Sequence, residues 1–118
     1  MSYTFSQMAS SFHMDEESLI KAKKALLSTG KFNGCRTFFD IMLEIGWELE
    51  LDIDENVVSI NSDSGYLRND QNELFNIIAP FVKKGSYIQV FGEDGTIWRW
   101  IFDGSECKEI YPTITWEE

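Results

Sequence analysis

Four carboxylates recur at every second position in Glu48-Leu49-Glu50-Leu51-Asp52-Ile53-Asp54, alternating with Trp47, Leu49, Leu51 and Ile53. This period of two predicts a half-buried strand. Residues two apart on one face of a strand lie about 6.7 Å apart, close to two steps of the roughly 3.4 Å per-strand rise of DNA phosphates. Together with Glu55, the run reads as a carboxylate ladder fit for a basic groove that otherwise holds nucleic acid. The plainer explanation is a strand with an acidic wet face, guarded against edge pairing. Like charges in a row repel, and a mixed face avoids that cost.

Other chemistries find less support. Asp52-x-Asp54-x-Asn56 matches the first three ligand positions of an EF-hand loop. However, Val57 stands where glycine is needed and Asp63 where a bidentate glutamate is needed, so no metal site is expected. With 20 acidic residues some pair falls at catalytic separation by chance, and a paired-carboxylate hydrolase has no specific signal. The one histidine, His13, sits in the N-terminal segment, away from the rigid elements a catalytic imidazole needs. Cys35 and Cys107 belong to no C-x-x-C, which excludes a zinc or thioredoxin-like motif. They read as small buried hydrophobes in a reducing cytoplasm, and their spacing leaves open whether they meet. No dinucleotide, P-loop, zincin or nucleophile-elbow motif occurs, and the carboxylates of Gly92-Glu93-Asp94-Gly95 would repel a phosphate. No catalytic residue and no cofactor is therefore expected, and the protein is read as a non-enzyme.

Thr96 to Phe102 is the second conspicuous stretch. Trp98, Trp100 and Phe102 share one face of a strand, and Ile97, Arg99 and Ile101 share the other. Such a strand is either covered on both sides or leaves one face for a partner. Trp and Arg dominate interface hot spots, so Trp98, Arg99 and Trp100 are the anchor candidates if their face is exposed. Two Trp at i and i+2 also offer a stacking platform for bases or sugars. Core packing is the ordinary fate of large aromatics.

The elements that position these residues follow from periodicity. Residues 1–14, without formal charge, read as a tail or arm whose aromatics dock on the body, and 15–118 as a single domain. Asp15 N-caps a helix carrying Leu19, Ala22, Leu26 and Leu27, which Gly30 stops. A second helix is expected from about Asn33, with Phe38, Phe39, Met42, Leu43 and Ile45 inward and Gly46 past its end. Trp47 to Asp54 and Val57 to Ile60 form a hairpin. Asp70-x-x-Glu73 has capping-box spacing and opens a third helix, with Pro80 kinking it or splitting off a last turn. Ser86–Phe91, Thr96–Phe102 and Glu106–Tyr111 make a meander, and Thr113 to Trp116 a short extension. The expected fold is α+β, in the order α-α-β-β-α-β-β-β. About five antiparallel strands carry the helices on one face.

The chain has 118 residues and a net charge of −10, with 43% hydrophobic residues, enough for a core without disulfides or metals. So acidic a surface repels phosphate backbones and anionic lipids, so neither direct nucleic-acid nor membrane binding is expected. No apolar run reaches the length of a membrane span, and the N-terminus lacks the pattern of a secretory signal. A cytoplasmic setting follows as the expectation.

Gly92-Glu93-Asp94-Gly95, Trp98-Arg99-Trp100, Asp103-Gly104, Tyr111-Pro112 and Trp116 carry a resemblance, over about residues 86–117. This stretch is similar to small acidic bacterial proteins often associated with mobile elements. The resemblance implies a bacterial or phage origin and a protein-binding role, and carries over no activity and no catalytic residue. The function expected is a small acidic binding module, an inhibitor that docks on a basic nucleic-acid-binding surface as anti-CRISPR and other anti-defence proteins do. In that reading Glu48, Glu50, Asp52, Asp54 and Glu55 steer association, and Trp98, Arg99 and Trp100 anchor it. The alternatives are an immunity protein against a cognate toxin, a carboxylate-dependent hydrolase or an assembly subunit. Oligomeric state is not legible from the residues.

Overall fold

A computed structural model describes residues 3–63 and 65–112. The chain runs β1 (Phe5–Ser11), α1 (Glu16–Leu27), α2 (Phe38–Ile45), β2 (Trp47–Leu51) and β3 (Val57–Ser62). It continues through α3 (Gln71–Ile78), a 3-10 turn (Ala79–Phe81), β4 (Tyr87–Gly92), β5 (Ile97–Phe102) and β6 (Cys107–Ile110). The fold is α+β, and the order matches the expected one apart from a leading strand. The expected extension at 113–116 lies outside the described residues.

That leading strand corrects the reading of residues 1–14 as an arm. β1 pairs antiparallel with β4 along a six-residue register and becomes an edge of a four-stranded sheet ordered β1-β4-β5-β6. The segment shows no continuous alternation, because the bulge between Gln7 and Ala9 shifts the inward positions, yet Phe5, Phe12 and Met14 are all buried. Each contributes roughly 1.5–3 kcal/mol by leaving water.

The remaining strands, β2 and β3, form a separate two-stranded sheet instead of completing one of five. The division falls at a bulge in β1 between Gln7 and Ala9. There the Gln7 side chain takes over the missing ladder bonds: Nε2 donates to the Ile60 carbonyl at 2.7 Å, and Oε1 accepts from the Ser62 amide at 2.7 Å. Further along, Met14 and Val57 exchange two backbone bonds. β3 is thus stitched beside β1 by one amide side chain and an isolated bridge.

α1 begins at the expected cap, where the Asp15 carboxylate accepts from the Ser18 amide at 2.7 Å. α2 begins four to five residues later than expected. Thr37 and Asp40 form a reciprocal capping box there, and Asn33-Gly34 stays in the loop. Its inward side is also shifted. Ile41 is fully buried, whereas Leu43 is half exposed. Gly46 ends α2 at φ +113°, a left-handed turn that lets Trp47 start β2 at once. α3 departs from its expected capping box: the Asp70 carboxylate makes no cap bond and pairs with Arg68 and Lys31 instead. Pro80 splits off the 3-10 turn, as its missing N–H requires.

All three helices contribute to one hydrophobic cluster against the inner face of the sheet. At its centre Phe75 of α3 packs edge-on to Trp100 and Phe102, and Trp47 packs edge-on to Trp100. Among the described residues no helix is long and apolar enough to cross a membrane.

Candidate functional site

The acidic hairpin is shorter as a ladder than the alternation predicts. β2 ends at Leu51, with a register shift between Glu50 and Leu51. Asp52 folds back: its Oδ1 accepts from the amides of Asp54 (2.9 Å) and Asn56 (3.0 Å). Its own amide donates to the Asn56 carbonyl at 2.9 Å, and Glu55 takes the left-handed φ of +65° that closes the turn. A short carboxylate bonding two residues ahead competes successfully with the extended backbone. Two rungs therefore remain, Glu48 and Glu50, while Asp52, Asp54 and Glu55 cluster at the tip.

All five carboxylates are exposed, and among the described residues none forms an ion pair. At the tip Ile53 is 97% exposed, an apolar side chain set between Asp52 and Asp54. The turn is also anchored from behind, because Asn56 Oδ1 accepts from the Glu16 amide at the start of α1 at 3.1 Å.

β5 separates the three anchor candidates. Trp98 and Trp100 are only 4% and 1% exposed, packed edge-to-face against each other and around Phe5. Neither presents a ring face to a partner, because the rings of Phe5, Trp47 and the α3 residue Phe75 pack around them. Arg99 points the other way. Its guanidinium donates to Gln89 Oε1 and lies 4.6 Å from the centroid of the Tyr87 ring. Around it the outer face of β4–β6 carries Phe91, Ile97 and Ile110, each more than a third exposed. No carboxylate shares this alternation with them.

A cleft of about 810 Å³ lies where Tyr3, the start of α3, β5 and the end of β6 converge. Trp100 Nε1 donates to Asn72 Oδ1 at 2.7 Å, and Asn72 Nδ2 donates on to Glu109 Oε2 at 2.7 Å. The other Glu109 oxygen accepts from the Tyr111 hydroxyl. Gln71, 2% exposed, accepts from Trp47 Nε1 through its Oε1 at 3.3 Å. Its Nε2 and the Trp98 Nε1 are buried with no hydrogen-bond partner among the described residues. Tyr3 walls one side, its hydroxyl donating to Asp94 at 2.7 Å. Any Cβ on Gly92 would overlap the Tyr3 ring, 1.6 Å from its hydroxyl oxygen, so only glycine lets it settle there.

Electrostatics around the cleft favour ionised carboxylates. The Asp94 bond pushes the Tyr3 phenol up to about 12. The Arg68 guanidinium, with Lys31 beside it, holds the Asp70 carboxyl down at about 2. Asp70 therefore serves as a fixed anion and offers no proton near neutrality. Burial pushes the Cys107 thiol up to about 12, so this sulfur behaves as the small hydrophobe the sequence implied. Cys35 is half-buried, and both thiols are free. Among the described residues no three of His, Cys, Asp and Glu gather as a metal site.

The Asp70 network carries a pH prediction. A carboxyl held below its unfolded value of 3.8 stabilises the fold above that pH, and the contribution fades as pH falls towards about 2. Its side chain is 20% exposed, and solvent screening leaves about 1 kcal/mol. Asp70→Asn is expected to lose that much stability in urea at neutral pH. The gap from wild type should narrow as pH falls through about 2, where the native Asp70 carboxyl takes up its proton and comes to match the neutral amide.

No protein family, curated protein or solved structure matches the chain. Sequence reasoning missed Tyr3, Gln71 and Asn72, and only the Trp98/Trp100 spacing pointed towards the cleft. Polar residues at a helix start give no sequence signal of burial.

Proposed function

We propose that the protein is an acidic binding module that docks its β2–β3 hairpin on a basic, nucleic-acid-binding surface of a partner protein, and thereby acts as an inhibitor. The observation that carries this reading is the hairpin tip: Ile53 stands 97% exposed among carboxylates that form no ion pair with any described residue. Bonds from Asp52 and Asn56 hold the tip in one shape, which lowers the ordering cost of association. Glu48, Glu50, Asp54 and Glu55 supply long-range attraction to a basic groove, and Ile53 adds an apolar contact at its floor. Asp52 shapes the tip while keeping its charge. Arg99 lies on the outer face of β5, outside this contact.

Such a complex forms quickly at low ionic strength and weakens as salt screens the steering charges. The test is capture of partners from nuclease-treated bacterial lysate on the immobilised protein at about 0.05 M and about 0.5 M salt. A basic nucleic-acid-binding protein is expected at low salt only. The Glu48→Lys/Glu50→Lys variant should retain at most about a tenth of it, the loss of roughly 1.4 kcal/mol. Undiminished capture by that variant, or by Ile53→Asp, would show that the hairpin is not the binding surface.

A further inference from the structure

Two side chains that line the 810 Å³ cleft carry hydrogen-bond donors with no acceptor among the described residues. Trp98 and Gln71 are 96% and 98% buried, and Trp98 Nε1 and Gln71 Nε2 are unpartnered. A buried donor without an acceptor costs about 1–3 kcal/mol, and native proteins keep few of them. Both residues line one cleft, beside a hydrogen-bonded chain of Trp100, Asn72, Glu109 and Tyr111.

The surrounding groups define what would pair with them. An apolar ligand leaves both donors orphaned. An anion meets a lining in which Arg68 is balanced by Asp70, leaving Glu109 unbalanced within a chain of net charge −10. A simple cation offers no acceptor to the two N–H groups. A hydroxyl both accepts and donates at one oxygen, and each Glu109 oxygen, which accepts one bond here, has a further lone pair for it. The half-buried Tyr3 ring, held by Asp94 and seated on Gly92, supplies an apolar wall for a C–H face. The volume falls within the range of small-molecule sites.

We propose that this cleft binds a small neutral saccharide, with Trp98 Nε1 and Gln71 Nε2 donating to its oxygens and Glu109 accepting from its hydroxyls. The site is separate from the hairpin and goes beyond the partner-docking function. It also uses Trp98 differently from a stacking platform, through the indole edge and not the ring face.

The experiment is a titration of the ¹⁵N-labelled full chain with glucose, N-acetylglucosamine, maltose and cellobiose, each followed at the indole Nε1–H resonances. Parallel titrations use inorganic phosphate and acetate. The Trp98 signal is assigned by its absence in Trp98→Phe. At least one sugar is expected to shift the Trp98 indole and Gln71 amide signals saturably. Gln71→Met should weaken that binding about tenfold, the loss of one well-made hydrogen bond at about 1.4 kcal/mol. Glu109→Gln, at an exposed position, serves the same purpose should Gln71→Met fail to fold, and should weaken binding several-fold. No saturable shift with any sugar up to about 0.1 M, the limit of a useful small-ligand affinity, overturns the proposal. So do shifts produced by phosphate or acetate alone, or sugar affinities unchanged in the substituted chains.

Discussion

A chain lacking residues 1–14 is expected not to fold. Its loss removes β1 and with it Phe5, Phe12 and Met14, which are 7%, 0% and 2% exposed. Deleting a buried phenylalanine side chain costs about 3–5 kcal/mol and a methionine about 2–5. The sum reaches the whole 5–15 kcal/mol by which a native domain is stable. The deletion also strips β4 of its edge partner along six paired residues, leaving an open strand edge prone to aggregate. The Gln7 stitch to β3 goes too, so the acidic hairpin loses its seat. Near-ultraviolet circular dichroism and urea unfolding measure the outcome. A cooperative transition at the wild-type midpoint would mean that residues 1–14 are an arm and that the β1 pairing is wrong. Phe12→Ala isolates part of the effect. Its ring packs edge-on to Phe102 at 5.4 Å, and a loss of about 3–5 kcal/mol is expected.

Trp100→Ala should be the most damaging single substitution in the meander. The indole packs against Phe5, Trp47, Phe75 and Trp98, and its Nε1 bonds Asn72 at 2.7 Å. Truncation opens a cavity at the centre of four rings and leaves Asn72 without its donor, a combined loss of about 4–5 kcal/mol. The neighbouring Arg99→Ala is expected to change stability by less than about 0.5 kcal/mol, because its partners Gln89 and Tyr87 lie on the open face. Urea midpoints of the two variants together read out which face of β5 is covered. Equal losses at the two positions would contradict the alternation.

The same pair of residues shows where sequence reading stops. Alternation in Trp98-Arg99-Trp100 tells that Trp and Arg face opposite ways, but not which face the helices cover. Both faces are apolar in pattern, since Ile97 and Ile101 are as hydrophobic as their neighbours. The decision belongs to α3, whose Phe75 docks on the tryptophan side. In the hairpin the acidic period was legible, whereas its length was set by one local contest. The Asp52 carboxylate captured the Asp54 and Asn56 amides and ended the strand at Leu51. Carboxylates two apart in sequence look alike whether they stand on a strand or bend a turn.

Local periodicity and cap chemistry thus determined the identity and order of eight elements, the turn at Gly46 and the break at Pro80. These depend on residues within a few positions of one another, so their physics is contained in the chain segment itself. Tertiary structure decided that the N-terminal segment is a strand, that the sheet divides at the Gln7 bulge, and that Asp70 pairs with Arg68 and Lys31 instead of capping α3. It also brought Tyr3, Gln71, Trp98 and Glu109 to one cleft. Each of those outcomes joins residues far apart in the chain, Tyr3 and Asp94 by 91 positions. No periodic signal links such residues, because the closing contact is made only after the intervening elements have packed.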